Sequence, residues 1–338
     1  MDVQACTEAP EAPEVIVLAC DRAIEAGRSV GTDLADLHYN RARALDSLGD
    51  AEGAESAYRL ALKIDPQHQY SMLDLGWLLG VAGAWDEVLS LAEQAIEVDP
   101  GYNNSYDLKG WAQRHLGQAE EALEALTIAR ALDPGDNWTV RELSLTYRDL
   151  GDLDRAEAEA RRAIGNDAED AWAYYALGLA QIDKQEIEPA LATLDTAIAL
   201  DGGHLSFHLE RWYALRELGQ MAVALEQIDA AEEQWPGHVD IHASRGWTYL
   251  MMDSLAPAEA EFRLAINRSG SASWSYYGLA ITLARDGQGE EAIEVLETAL
   301  DLEYNSANAS EVVRSLLRAG SILQASRASR LVAAAAGN

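Results

Sequence analysis

The sequence predicts an all-α fold, a solenoid of eight tandem helix-turn-helix units with helical end caps. Three observations carry that prediction: glycines recurring every 34 residues, columns of small residues in register with them, and Asp-Pro pairs closing several units. Gly49, Gly83, Gly117 and Gly151 set the interval, and it resumes at Gly219 and Gly287. With these glycines at the fifteenth place, the first unit opens at Ala35, and the eighth runs from Ser273 to Ser306 without any insertion. The twenty-seventh place is Ala in all eight units, from Ala61 and Ala95 to Ala299. The twentieth is Ala except at Val88, and the eighth is Ala, Gly or Ser except at Trp212.

Each unit divides into a helix of about thirteen residues, a turn at the glycine, and a second helix of similar length. Glycine takes the left-handed conformation that ends the first helix without a Cβ penalty. Asp65-Pro66, Asp99-Pro100 and Asp133-Pro134 stop the second helix, because proline cannot continue it. The small columns let paired helices approach closely, and neither helix buries its apolar face without its neighbours.

Composition removes several functional classes. Of the 338 residues, 49% are apolar, and 57 acidic side chains stand against 25 basic ones for a formal charge of -32. That apolar content is too high for a disordered acidic tail, and no apolar run approaches a membrane span. The negative charge argues against nucleic acid, whose phosphates it would repel. Gly-rich phosphate loops, Cys-x-x-Cys and nucleophile-elbow motifs are missing from the sequence, so nothing in it calls for an enzyme or a cofactor.

The unit Gln69–Tyr102 resembles the tetratricopeptide repeat: Leu75-Gly76, Leu79, Gly83, Ala95 and Asp99-Pro100 stand at that family's signature places. The resemblance covers residues 35–306 and implies a right-handed α-solenoid of eight repeats, between a capping segment at 1–34 and capping helices at 307–338. Departures are local. Ala168, Gly202, Gly270 and Tyr304 replace the terminal proline, and Gln185 and Asp253 replace the turn glycine. Trp212, at a place meant for a small residue, predicts a local widening or a side chain pushed to the surface.

Outside the repeats, residues 14–27 read as a lone second helix, and roughly 309–319 and 322–334 as two closing helices. The apolar tail from Leu331 to Ala336 is expected to cover the last unit and not to enter a membrane. Cys6 and Cys20 flank the Pro-containing stretch 9–13, which could fold back to bring them together, or they could remain reduced thiols. The paired cysteines resemble those of exported bacterial repeat proteins, with Met1 as an initiator before a mature chain. This implies a periplasmic or otherwise exported protein, with the cytoplasm as the alternative.

His204 and His208, and likewise His238 and His242, are four apart at equivalent places of successive units. Such pairs could share a metal ion. Against this, the first of each pair falls in a turn, and the second at a place that normally packs.

The resemblance puts places 2, 5, 9, 12 and 13 on the concave face. Eleven of the 22 Trp and Tyr residues fall there: Tyr39, Tyr70, Trp77, Trp111, Trp138, Trp172, Tyr175, Tyr213, Trp247, Trp274 and Tyr277. Arg43, Arg114, Arg141, Arg148, Arg216 and Arg285 share the face with acids such as Asp107, Asp149 and Asp240, so it is near neutral. Trp, Tyr and Arg are the residues that dominate binding hot spots, although the same rings could simply pack between units. Arg114, Arg141 and Arg148 form the expected anionic anchor. The Lys and Asn that clamp carboxyl termini in chaperone adaptors of this family are missing from the corresponding places, and so is the Asn ladder of its sugar-transferase relatives. The expected function is a non-catalytic scaffold that binds a protein or peptide segment, possibly inside a multiprotein assembly. The alternative is a carbohydrate-binding or polysaccharide-export accessory role for the same face.

Overall fold

The structure, a computed structural model, describes residues 2–8 and 12–336. Residues 9–11 of the stretch expected to fold back, and Met1, lie outside the described residues. Among the described residues there are twenty helices and no strand. Two compact units, Met1–Glu169 and Asp170–Asn338, divide the chain.

The amino-terminal unit opens with α1 (Asp2–Glu8) and α2 (Pro13–Glu25), then pairs α3 (Thr32–Ser47) with α4 (Ala51–Ile64). Three more helical hairpins follow: α5 (Gln69–Val81) with α6 (Trp85–Val98), α7 (Asn103–His115) with α8 (Ala119–Leu132), and α9 (Asn137–Asp149) with α10 (Leu153–Asn166). Successive first helices start 34 residues apart from Gln69 onward, as the glycine spacing requires. The lone second helix expected over 14–27 is α2, ending two residues earlier. The seven-residue α1 before it has no counterpart in the sequence reading.

The carboxy-terminal unit continues the spacing through α11 (Ala171–Asp183), α12 (Ile187–Leu200), α13 (Leu205–Glu217), α14 (Met221–Gln234), α15 (Val239–Met251), α16 (Leu255–Arg268), α17 (Ser273–Arg285) and α18 (Gly289–Leu302). It closes with α19 (Ser306–Arg318) and α20 (Ile322–Ala335). Leu331 and Val332 of α20 pack partly buried against the core formed by α17 and α18. No helix among the described residues is long and apolar enough to cross a membrane.

The alanine columns are where the helices meet. Ala61, Ala95, Ala129, Ala163, Ala197, Ala265 and Ala299 are fully buried, as are Ala54, Ala122, Ala156, Ala190, Ala224, Ala258 and Ala292. A larger side chain at these places would force the axes apart or strain rotamers, at about 1–3 kcal/mol each. Hairpin turns use the left-handed residue that the glycines supply. Where glycine is missing, Gln185 and Asp253 adopt the same conformation, with φ of 63° and 56°. At the ends of second helices, Asp65, Asp99, Asp133, Asp167 and Asp201 are extended, and each carboxylate accepts from the backbone N–H two residues on. The aspartate therefore carries the turn even where proline is absent, after Asp167 and Asp201.

Trp212 is not pushed to the surface. It is buried, and its indole N–H donates to Thr248 Oγ1 on α15 at 2.9 Å. A shallow hollow of about 200 Å³ lies beside it, lined by Leu209, Glu210, Tyr213, Asp240, Ser244 and Trp274.

Cys6 and Cys20 form a disulfide that ties α1 to α2. With Ala19, Ala23 and Leu37 they make a small separate core under the first hairpin.

Candidate recognition face

In the amino-terminal unit the first helices bring the expected aromatic residues together in two groups. Tyr39 on α3 and Tyr70 on α5 lie 6.1–6.2 Å from each other and from Tyr58 and Tyr102, ring centre to ring centre. Tyr70 is the open member, 54% exposed. Behind this tyrosine row stands Asp74, whose carboxyl accepts from the hydroxyls of Tyr39 and Tyr58. Burial pushes the Asp74 carboxyl above its ordinary value, and burial with the nearby Asp74 charge raises both tyrosines. Arg43 lies over the Tyr39 ring at 5.7 Å and 3.8 Å from Asp74.

The second group is built of tryptophans. Trp77 sits 4.9 Å from Trp111 and 5.0 Å from Trp138, with edge-to-face geometry in the latter pair. Trp85, from the start of α6, packs edge-on against Trp111 at 4.8 Å and stacks flat on His115 at 4.0 Å. Gly80 makes room for this group, since a Cβ there would fall inside the Trp111 ring. The four indoles are each half-buried, so the rings pack against one another and still present edges to solvent. Burial, helped by Arg114, lowers the pKa of His115.

The polar residues among these rings are mostly matched. Arg114 on α7 pairs with Glu142 at 3.1 Å and with Asp149 at 3.3 Å, so its charge is neutralised inside the unit. Burial raises the Glu142 carboxyl against the opposing pull of Arg114. Arg141 and Arg148 are half-buried on α9.

Asp107, grouped above with the acids of this face, is almost fully buried. Thr139 Oγ1 lies 2.7 Å from Asp107 Oδ1 and 2.9 Å from Asp136 Oδ2. The Asn103 amide also donates to both carboxylates, at 3.4 Å. Burial pushes the Asp107 carboxyl up to about 8, with Asp136 adding to the rise.

In the carboxy-terminal unit the same places do different work. Trp247 and Trp274 stack at 5.2 Å, and Trp274 meets buried Trp212 edge-on. Arg216 lies over the Tyr213 and Trp212 rings at 4.5 and 5.3 Å. Tyr175 stacks on buried Phe207 at 4.9 Å, and Trp172, 39% exposed, covers the edge of that pair. Tyr277 is withdrawn from the surface at 1% exposure. Its hydroxyl donates to the Glu303 carbonyl at 2.7 Å and accepts from the Asn305 N–H at 3.0 Å.

The four histidines are not brought together. His204 pairs with Asp201 at 3.0 Å, and His208 donates to the Gly202 carbonyl at 3.2 Å. His238 accepts from the Asp240 N–H at the start of α15, and His242 lies 2.7 Å from Glu261. Among the described residues no group of three or more His, Cys, Asp or Glu side chains could hold a metal ion.

Trp85, His115, Tyr58 and Tyr102 were not anticipated as members of these groups. Trp85 and Tyr58 lie on second helices and Tyr102 in a turn, away from places 2, 5, 9, 12 and 13 of the first helices. His115 stands at a thirteenth place and could have been found by counting imidazoles with the indoles.

Tetratricopeptide repeat models match residues 35–68, residues 73–137 and 141–204, and residues 273–298. No curated protein sequence matches the chain. Solved structures show the same fold. A tetratricopeptide repeat protein from Parabacteroides merdae ATCC 43184 is similar with a TM-score of 0.60 and 15% identity, covering 74% of this chain and 98% of that chain. The Cut9–Hcn1 hetero-tetramer of the APC/C gives 0.60 and 13%, covering 96% and 80%. The human IFIT1 dimer with PPP-AAAA gives 0.60 and 17%, covering 88% and 73%. At such identities the likeness carries the fold alone. With helical hairpins at a 34-residue spacing and repeat models matching more than half of its length, the chain belongs to the tetratricopeptide repeat family.

Proposed function

We infer that the protein is a non-catalytic scaffold that holds a protein or peptide segment on the aromatic face of its amino-terminal unit. The observation that carries this reading is the partly open run of Tyr39, Tyr70 and Tyr102 beside Trp77, Trp111 and Trp138. Half-buried Tyr and Trp offer large contact area at small entropic cost, because packing already fixes their rotamers. Neutralised Arg114 makes this face a poor anion trap, so the reading favours an aromatic or aliphatic segment over a phosphorylated or carboxylate-ended one.

The test uses Tyr70→Ser combined with Arg43→Ala, both exposed positions, to capture partners from cells that make the protein. The variant is expected to recover a partner at least about ten-fold less efficiently than wild type. Equal recovery of the same partner would sink the reading.

A carbohydrate reading has its own support, the hollow beside Trp212 in the other unit, where Tyr213 and Trp274 stand with Asp240 and Ser244. A glycan array separates the two, since sugar binding abolished by Tyr213→Ala and untouched by Tyr70→Ser would favour it. The Cys6–Cys20 disulfide supports export, because disulfides persist in oxidising compartments. Recovery of the chain from the cytoplasm with both thiols reduced would count against it.

A further inference from the structure

We propose that copies of this chain associate head to tail, the α1–α2 hairpin of one copy seating on the α19–α20 hairpin of the next.

The argument starts from charge. Residues 307–338 hold one acidic side chain, Glu311, and four basic ones, Arg314, Arg318, Arg327 and Arg330, a formal +3 within a chain of -32. Residues 1–34 hold seven acidic side chains and two basic ones, a formal -5. The positive hairpin is only partly neutralised: Arg314, Arg318 and Arg285 share Glu311, at 2.7, 2.9 and 3.6 Å, and Arg327 pairs with Glu290 of α18 at 2.6 Å. Arg330 meets the Ser326 hydroxyl.

Apolar exposure coincides with both charge patches. On α20, Ile322 and Leu323 are 72% and 67% exposed, and Leu317 at the end of α19 is also exposed. On α2, Leu18 is 55% exposed, with Val15 one turn before it, and Glu14 and Glu25 outnumber the single cation, Arg22, on the same open side. An apolar patch with a basic surround and an apolar patch with an acidic surround complement one another, and neither complements itself. The contact is therefore heterologous: each copy gives one face and receives the other.

The large net charge does not forbid this. At about 0.15 M salt the Debye length is about 8 Å, so distant charges on two copies are screened while facing patches still interact. A positive hairpin with exposed leucines could also meet an anionic lipid surface, but lipid would leave the acidic apolar face of α2 unexplained.

The test is sedimentation of the full chain over a wide concentration range at physiological salt. Wild type is expected to show mass rising with concentration. Leu18→Arg, which sets a cation against the basic hairpin, and Leu323→Glu, which sets an anion against the acidic one, are each expected to weaken association by more than about ten-fold. Both positions are exposed, and unchanged circular dichroism would establish that each variant folds. The decisive arm mixes the two variants. Each retains one intact face, so the mixture forms a one-to-one dimer that neither forms alone. A wild-type mass that never exceeds one chain overturns the proposal, as does a mixture that stays monomeric. Binding of wild type to phosphatidylserine-containing vesicles without self-association would equally overturn it and assign the basic hairpin to lipid.

Discussion

The two units place tryptophan and tyrosine at the same repeat positions and surround them with different charges. In the amino-terminal unit, carboxyl groups accompany the rings: Asp74 under the tyrosine row, and Asp107 and Glu142 on the helices that carry Trp111 and Trp138, each raised by burial. In the carboxy-terminal unit, a cation takes that position at one ring pair. Arg216 covers Tyr213 and Trp212. The contrast is one of neighbours and not of exposure, since Tyr213, Trp247 and Trp274 are half-buried like Trp77 and Trp111, while Tyr277 is fully withdrawn. A repeat position therefore supplies a candidate, and its neighbours decide the role.

The largest effect that tests this contrast comes from Trp111, which joins Trp77, Trp85 and His115. Trp111→Ala removes the centre of that group and is expected to cost about 3–5 kcal/mol, the range for large aromatic truncations. Trp172→Ala, at a position already 39% exposed, is expected to cost about 1 kcal/mol. Hydrogen exchange, which resolves the loss hairpin by hairpin, is the suitable measurement. Equal losses at the two positions would mean that the neighbours of a ring do not set its contribution.

Acidity offers the next test. Folding raises the Asp107 pKa from 3.8 to about 8, so between these values the folded chain keeps a proton that the unfolded chain has released. Stability from this site is full below the unfolded value and falls steadily until it is lost above the folded one. Asp107→Asn mimics the protonated form, since its amide can donate to Asp136 in place of the carboxyl. Relative to that variant, wild type is expected to lose on the order of 3 kcal/mol between pH 5 and pH 8. Denaturant titrations of both proteins at the two pH values measure it. A difference that stays constant would mean that Asp107 is ionised throughout.

How much of this was readable beforehand depends on whether a feature repeats. Helix spacing and the alanine columns were legible because every hairpin solves the same packing problem with the same residue. Asp107 was not, since a fifth-place acid reads as a surface charge until Asp136 and Thr139 from the next hairpin close over it. Tyr277 was not legible either, because what draws it inward is the backbone of the next connection. The connection from α18 to α19 spans residues 303–305, one fewer than the four residues 65–68 between α4 and α5. That shortening brings the Glu303 carbonyl and the Asn305 N–H onto the Tyr277 hydroxyl and draws the ring inward. The short helix α1 had no periodic context at all, and the disulfide holds what the repeat pattern does not specify.

The smallest test concerns the hairpin turns, where the units also differ. All four turns of the amino-terminal unit use glycine, at Gly49, Gly83, Gly117 and Gly151, with φ of 75–79°. Two turns of the carboxy-terminal unit hold Gln185 and Asp253 in the same left-handed region. A residue with a Cβ pays a steric penalty there of about 1–2 kcal/mol, less for aspartate, while glycine costs more entropy on folding. Gln185→Gly should therefore stabilise by about 0.5–1 kcal/mol, reduced by loss of the 3.3 Å bond from the glutamine amide to the Ile182 carbonyl. Asp253→Gly should gain less. Gly117→Ala supplies the reciprocal measurement: an added Cβ would meet nothing within 4 Å, so any loss is the backbone penalty alone. If Gln185→Gly destabilised while Gly117→Ala cost about 1 kcal/mol, the glutamine turn would be held by its side chain and not merely tolerated.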